Sequence, residues 1–300
     1  MLRLVLNSVY VFLGACSFGI LSTIVKLAYK EGFTFREVTT GQYGFGWAIM
    51  LILMIIFSRQ KISLKQFIRL AVVGACTALT GVFYYYSLQS IPASIAIILL
   101  FQFTWMGIVI HSIATKKWPS KPTLISIVLL LVGTFLAGGM VGGNAGEINM
   151  LGLLFGLLAA VMMTLFILLS GKVETQLPLI TRSFYISTGS LLVLLTIFTP
   201  KVLLSSLGDG IWYYSLLLGA FGTVIPILLF SLGAPKISPT LTSILSAGEL
   251  PVAVIASVWV LQEQVTWIQW SGVLVILCGI AYPQVISYQA SKHPNNVKIL

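Results

Sequence analysis

The chain has 300 residues, of which 58% are hydrophobic and only 8% charged, and its mean hydropathy is +1.03. A water-soluble domain of this size needs far more charged surface, so the composition describes a polytopic membrane protein. The net charge of +10 is spread over the connections as a topology signal, which argues against nucleic acid as a partner.

Apolar runs of about twenty residues predict ten helices, near 6–29, 37–58, 67–88, 92–114, 122–141, 149–170, 180–200, 211–233, 239–261 and 267–289. The runs are continuously apolar rather than alternating, which disfavours a β-barrel, and the connections leave little room for a soluble domain. The predicted fold class is therefore all-α, with ten transmembrane helices. In the first segment Leu13-Gly14-Ala15-Cys16, behind Arg3, resembles a lipoprotein processing site. The apolar run continues to about Ala28, however, so a retained spanning helix fits better. Lys26 closes this segment with Gly19 and Ser22 on its face. It either reaches into the mouth of a cavity or snorkels to the interface.

Aromatic residues crowd the next three segments: Tyr43 and Trp47, then Tyr84-Tyr85-Tyr86, then Phe101, Phe103 and Trp105. Trp47 and Trp105 lie deep enough to be cavity walls suited to amphipathic substrates, or to serve packing. Trp118, Trp212, Trp267 and Trp270 stand at segment ends, where interfacial belts explain them. Gly152-x-x-x-Gly156 with Ala160, and Ala15-x-x-x-Gly19 in the first segment, predict close helix packing. The glycines at 138, 139, 142 and 143 end the fifth segment. Gly171-Lys172 lacks the glycine spacing and the Ser/Thr of a phosphate loop. Cys16, Cys76 and Cys278 lie singly in apolar runs and read as packing residues, so neither disulfide nor metal site is expected.

With the amino terminus inside, thirteen of the 17 basic residues fall on inner loops and tails, and four (Lys26, Lys30, Arg36 and Lys201) fall outside. The acids Glu31, Glu37, Glu147, Asp209 and Glu263 fall outside. This is the positive-inside pattern for a multi-pass protein of the cell membrane with both termini cytoplasmic.

A carboxylate at bilayer depth is costly, roughly 2.5–3.5 kcal/mol on insertion scales. Glu249 nevertheless sits mid-way through the ninth run with no basic residue near it in sequence. Three roles fit it: a proton-coupling group, a holder for the cationic end of a substrate, or a protonated packing residue hydrogen-bonded between helices. Thr242, Ser246 and Glu249 recur at i, i+4 and i+7, predicting a polar stripe on one helix face that Ala253 continues. Pro251 removes a backbone donor and frees the carbonyl of Ala247, and Pro226 in the eighth segment does the same for Gly222. Pro251, Pro226 and Gly222 are therefore candidate helix breaks, acting as hinges or as static kinks.

A shift of 146 residues places Lys26 on Lys172 and Arg36 on Arg182. A shift of 147 places Phe83 on Phe230 and Pro92 on Pro239, and Gly133 meets Gly279 after a one-residue slip. The expected domains are a first five-helix repeat over 1–143, a second over 144–290 and a short cytoplasmic tail over 291–300. Five is odd, so the second repeat must enter the membrane in the opposite sense. Inverted repeats are the architecture of many secondary transporters, with substrate bound near the midplane between them. Under this register Gln102 is the counterpart of Glu249, with Trp105 and Met106 continuing its face.

The most specific stretches are Ile237-Ser238-Pro239-Thr240-Leu241-Thr242-Ser243-Ile244-Leu245, Gly248-Glu249-Leu250-Pro251, Leu261-Gln262-Glu263 and the glycine-spaced run from Gly272 to Gly279. Together they resemble the ending of EamA-type members of the drug/metabolite transporter superfamily, and the resemblance covers essentially the whole chain. Leu250 separates the acidic residue from Pro251, Gln262 stands where glycine usually precedes the glutamate, and Thr115-Lys116-Lys117 replaces that pair in the first half. The resemblance implies a ten-helix carrier of small metabolites, often amino acids or related compounds and often moved outward. A lipid or lipid-linked-sugar flippase is the neighbouring alternative in the same superfamily.

No His-Glu-x-x-His, Gly-x-Ser-x-Gly or nucleotide site is present in the sequence, so neither an enzyme nor a primary pump is expected, and no cofactor. The candidate substrate or proton pathway is Glu249, Ser246, Thr242, Gln102 and Trp105, with Lys26 at the cavity mouth. The implied partners are a small-molecule substrate and the lipid bilayer, and a homo-oligomer is compatible with this reading.

Overall fold

The computed structural model describes residues 2–58, 60–91, 93–137, 149–199, 202, 210–262 and 265–292. The boundary between 143 and 144, the glycines from 138 to 143, and Pro92, Glu147, Lys201, Asp209, Glu263 and the tail past 292 lie outside them. The described chain is helical throughout: α1 Leu2–Lys30, α2 Phe35–Phe57, α3 Leu64–Ser90, α4 Ala93–Leu100, α5 Phe103–Thr115, α6 Lys121–Ala137, α7 Met150–Ser170 and α8 Leu179–Ile197, continuing with α9 Trp212–Gly219, α10 Ile225–Gly233, α11 Pro239–Ser246, α12 Glu249–Leu261 and α13 Trp267–Lys292. Eight runs are long and apolar enough to cross a bilayer, and the shorter apolar helices Lys121–Ala137 and Trp267–Pro283 bring the crossings to ten. The fold is all-α, with ten transmembrane helices in two inverted five-helix repeats.

Local chemistry explains where several helices begin. Thr34 accepts from the backbone N–H of Glu37, whose carboxylate accepts from the Thr34 N–H at 2.8 Å. Ser63 and Gln66 repeat this reciprocal cap at the start of α3. Both caps satisfy orphan donors of the first turn.

The repeats interlock. α1 packs on α10 and α12 of the second half, and its counterpart α7 packs on α3 and α4 of the first half. Likewise α3 pairs with α8 while α9 pairs with α2, and α6 lies along α13. Each contact in this series has its pseudo-two-fold mate. Glycines permit the close approaches: a Cβ on Gly133 would stand 2.8 Å from the Gly272 carbonyl oxygen at the α6–α13 crossing. The predicted packing glycines Gly152 and Gly156 meet Ile91, Ser90 and Leu99, while Gly19 meets the backbone of Glu249.

Among the described residues, three crossings are interrupted. The eighth holds a π turn, Ala220–Val224, ahead of Pro226. The ninth breaks between Ser246 and Glu249, and the fourth, expected to be one helix, breaks between Leu100 and Phe103. Under the 147 shift the last two interruptions fall within one residue of each other, Phe101-Gln102 lying over Gly248-Glu249. The interruption of the fourth segment carries no proline or glycine, so the sequence does not announce it.

One expected loop cation is not a loop residue. Arg182 is only 1% exposed; its guanidinium donates to Val173 O at 2.9 Å, Ser231 O at 3.3 Å and Ser170 O. These carbonyls end α7 and flank the end of α10, where backbone acceptors are left over and a cation complements the helix dipoles. Its repeat mate Arg36 is exposed, so the matched position serves different purposes in the two halves.

Candidate functional site

A cavity lies where the interrupted fourth and ninth crossings meet α1, α2 and α3. Phe18, Gly19, Leu21 and Ser22 enter it from α1, Gln42 and Tyr43 from α2, and Thr77, Thr80, Gly81, Tyr84 and Tyr85 from α3. Ile97, Leu100 and Phe101 come from the fourth crossing, Met163 from α7, and Glu249 and Ala253 from α12. The lining residues run from the middle of their helices toward the face opposite the amino terminus. On the amino-terminal face, Arg69 of α3 pairs with Glu174 at 2.9 Å. Gln66 of α3 also donates to that carboxylate at 3.4 Å, tying α3 to the α7–α8 turn.

Glu249 opens α12 and is the one charged residue among those lining the cavity. Its Oε2 is cut off from solvent and has no hydrogen-bond partner among the described residues. Such an atom carries a desolvation penalty that no protein contact offsets. Pro251 falls in the first turn of α12, where a missing N–H is tolerated. The Ala247 carbonyl, expected to be free, accepts from Leu250 N at 3.3 Å.

The eighth crossing meets its expected defect with side chains. Gln42 Nε2 donates to the Gly222 carbonyl at 3.3 Å and Ser17 Oγ to that of Phe221 at 2.6 Å. The Gln42 Oε1 then accepts from the Tyr85 hydroxyl at 2.8 Å, joining the π turn to the cavity wall. A Cβ on Gly222 would lie 2.6 Å from Gln42 Nε2, so glycine makes this bond reachable.

The other sequence candidates occupy separate places. Ser246 and Thr242 are buried on α11, where Ser246 Oγ donates to Thr242 O at 2.8 Å and Thr242 Oγ1 to Ser238 O at 3.0 Å. Gln102 lies at the break of the fourth crossing. Its Nε2 donates to Ile98 O at 2.8 Å, taking a carbonyl that the broken helix leaves over, and its Oε1 accepts from Trp105 Nε1 at 2.7 Å. Trp47 donates to Thr188 Oγ1 at 3.1 Å. Neither tryptophan is among the cavity residues, and Lys26 stands one turn past Ser22, outside the lining. The structure thus brings Glu249 together with Tyr43, Tyr84, Tyr85 and Phe101, not with the hydroxyls of its own segment. Gln42, Thr77, Thr80 and Phe18 were not anticipated; an amide inside an apolar run opposite a proline-freed carbonyl was the readable signal for Gln42.

Interlocked inverted repeats with discontinuous helices around a central cavity define a carrier-type membrane protein. The family model described as the EamA-like transporter family matches residues 6–139 and again 150–282, and the chain belongs to that family. The family lies within the drug/metabolite transporter superfamily, and its members are transporters. A solved structure titled only as a crystal structure of a protein is similar in fold, with a TM-score of 0.73 at 13% identity over 93% of this chain and 98% of that one. No curated protein gives a significant match.

Proposed function

We propose that the protein is a secondary carrier that moves a small metabolite, an amino acid or similar amphipathic compound, outward across the cell membrane by alternating access between the two inverted repeats. The observation that carries this reading is Glu249: a carboxyl with an unpartnered oxygen, at a helix break, in an aromatic cavity between the repeats. A packing role leaves that oxygen unexplained, whereas a substrate or coupling cation would satisfy it. The repeats 1–143 and 144–290 supply the symmetry. The bodies that rock exchange their first helices: α1 moves with the eighth and ninth crossings, α7 with the third and fourth. Gln102 and Trp105 brace the break of the fourth crossing, Thr242 and Ser246 that of the ninth. Pro226, Gly222 and Pro251 mark the hinges, and Lys26 stands near the mouth. Both termini are cytoplasmic in this scheme, so the cavity faces outward.

The test is uptake into proteoliposomes from a panel of amino acids and related amines, with and without an imposed pH gradient. Wild-type protein is expected to give saturable flux, and Glu249→Gln at matched reconstitution to lose it. Unchanged rate and pH dependence in that variant would remove Glu249 from the mechanism.

A further inference from the structure

Most of the polar groups lining the cavity share one character; the hydroxyl of Tyr84 is the exception, having no acceptor among the described residues. Tyr43 donates its hydroxyl proton to Thr77 O at 2.6 Å and Tyr85 to Gln42 Oε1 at 2.8 Å. Thr80 donates to Cys76 O at 2.8 Å, and Ser22 to Gly19 O at 3.3 Å. A hydroxyl that has given its single proton to the protein faces a ligand with lone pairs alone. The Gln42 amide is engaged at both ends, its oxygen by Tyr85 and its nitrogen by Gly222 O. To these acceptors are added the unpartnered Glu249 oxygen and the negative faces of Phe18, Tyr84 and Phe101. No Lys, Arg or His is among the lining residues.

We propose that this cavity selects an organic cation, an amphipathic amine or quaternary ammonium without a carboxylate, over the matching zwitterionic amino acid. The inference rests on the carrier reading and narrows its substrate class. An ammonium supplies donors and positive charge to a site made mainly of acceptors and aromatic faces. A substrate carboxylate, by contrast, would be desolvated there beside Glu249 with no cation among the lining residues to receive it.

Four probes of one skeleton separate the possibilities: phenethylamine, its N,N,N-trimethyl derivative, phenylalanine and 2-phenylethanol. Binding to purified wild-type protein in lipid nanodiscs is measured by calorimetry, and flux by counterflow in proteoliposomes. Both cations are expected to bind on the order of tenfold or more tightly than phenylalanine and phenylethanol, consistent with one aromatic-cation contact. Glu249→Gln should erase that preference, and Tyr84→Leu should weaken the trimethyl derivative most. Tighter binding of phenylalanine, equal binding of all four, or binding of none overturns the proposal on wild-type protein alone. Cations that bind through Glu249 but do not move uphold the site and overturn the carrier reading; flux of phenylalanine without either cation does the reverse.

Discussion

Gly19→Ala tests how α1 holds the Glu249 backbone. A Cβ at this position would stand 2.4 Å from the Glu249 carbonyl oxygen, 2.9 Å from Val252 Cβ and 3.1 Å from the Ala253 nitrogen. Ordinary contact begins near 3.4 Å, so α12 must retreat by about 1.0 Å. Two of the three atoms are backbone, and no side-chain rotation relieves the overlap. Overpacking of this kind costs about 1–3 kcal/mol, partly offset by up to about 1 kcal/mol from replacing glycine inside a helix. The net is a fall in melting temperature of a few degrees for a chain of this size. The functional effect should be larger, because a displacement of about 1 Å at a reacting or binding group can cost on the order of 100-fold. The assay is melting temperature by light scattering on purified protein, paired with flux in proteoliposomes at matched protein. A variant that keeps both the wild-type melting temperature and the wild-type flux would show that α1 and α12 do not meet at this glycine, and the geometry of the site would be wrong.

Arg182→Met should destabilise the protein by roughly 3–9 kcal/mol, since it leaves three buried carbonyls without their donor at about 1–3 kcal/mol each. Arg182→Lys should recover less than half, because an ammonium cannot span three carbonyls at once; a Met variant that melts with the wild type refutes this. Lys116 and Gln262 end α5 and α12 with φ of 52° and 56°, a region that strains any residue with a Cβ. Glycine at either should therefore raise stability by about 1 kcal/mol, read as a melting shift, and no shift would mean that neither backbone is left-handed. Gln42→Leu strands the Gly222 carbonyl and the Tyr85 hydroxyl, costing about 1–3 kcal/mol for each unsatisfied group. Adding Pro226→Ala returns a backbone donor to Gly222, so the double variant should be more stable than Gln42→Leu alone; strict additivity would refute the link.

Much of the fold was legible because lipid makes simple demands on sequence. Every span must be long, apolar and internally hydrogen-bonded, so ten helices and their alternation stand out, and the shared register of Lys26 with Lys172 and Arg36 with Arg182 exposes the repeat. The same register hid a difference that burial decides: Arg36 is exposed, while Arg182 staples helix ends. The departures from the family pattern at Lys116 and Gln262 were visible as letters. Their meaning, a left-handed residue closing the fourth and ninth crossings alike, came only with backbone angles.

The site was legible at one residue and illegible around it. A lone carboxylate in an apolar run is conspicuous in any sequence, so Glu249 stood out at once. The stripe with Thr242 and Ser246 assumed one continuous helix; the interruption after Ser246 ends their common helical phase and leaves those hydroxyls bonded to their own backbone. The break at Gln102 depends on a side chain competing for the Ile98 carbonyl, which no composition signal marks. Sequence alone determined the number of crossings, the repeat and the buried charge, because each follows from local chemistry against the bilayer. Which aromatic rings, hydroxyls and amide face that charge was decided by how α1, α2, α3 and α12 cross, a matter of distances between residues more than two hundred positions apart.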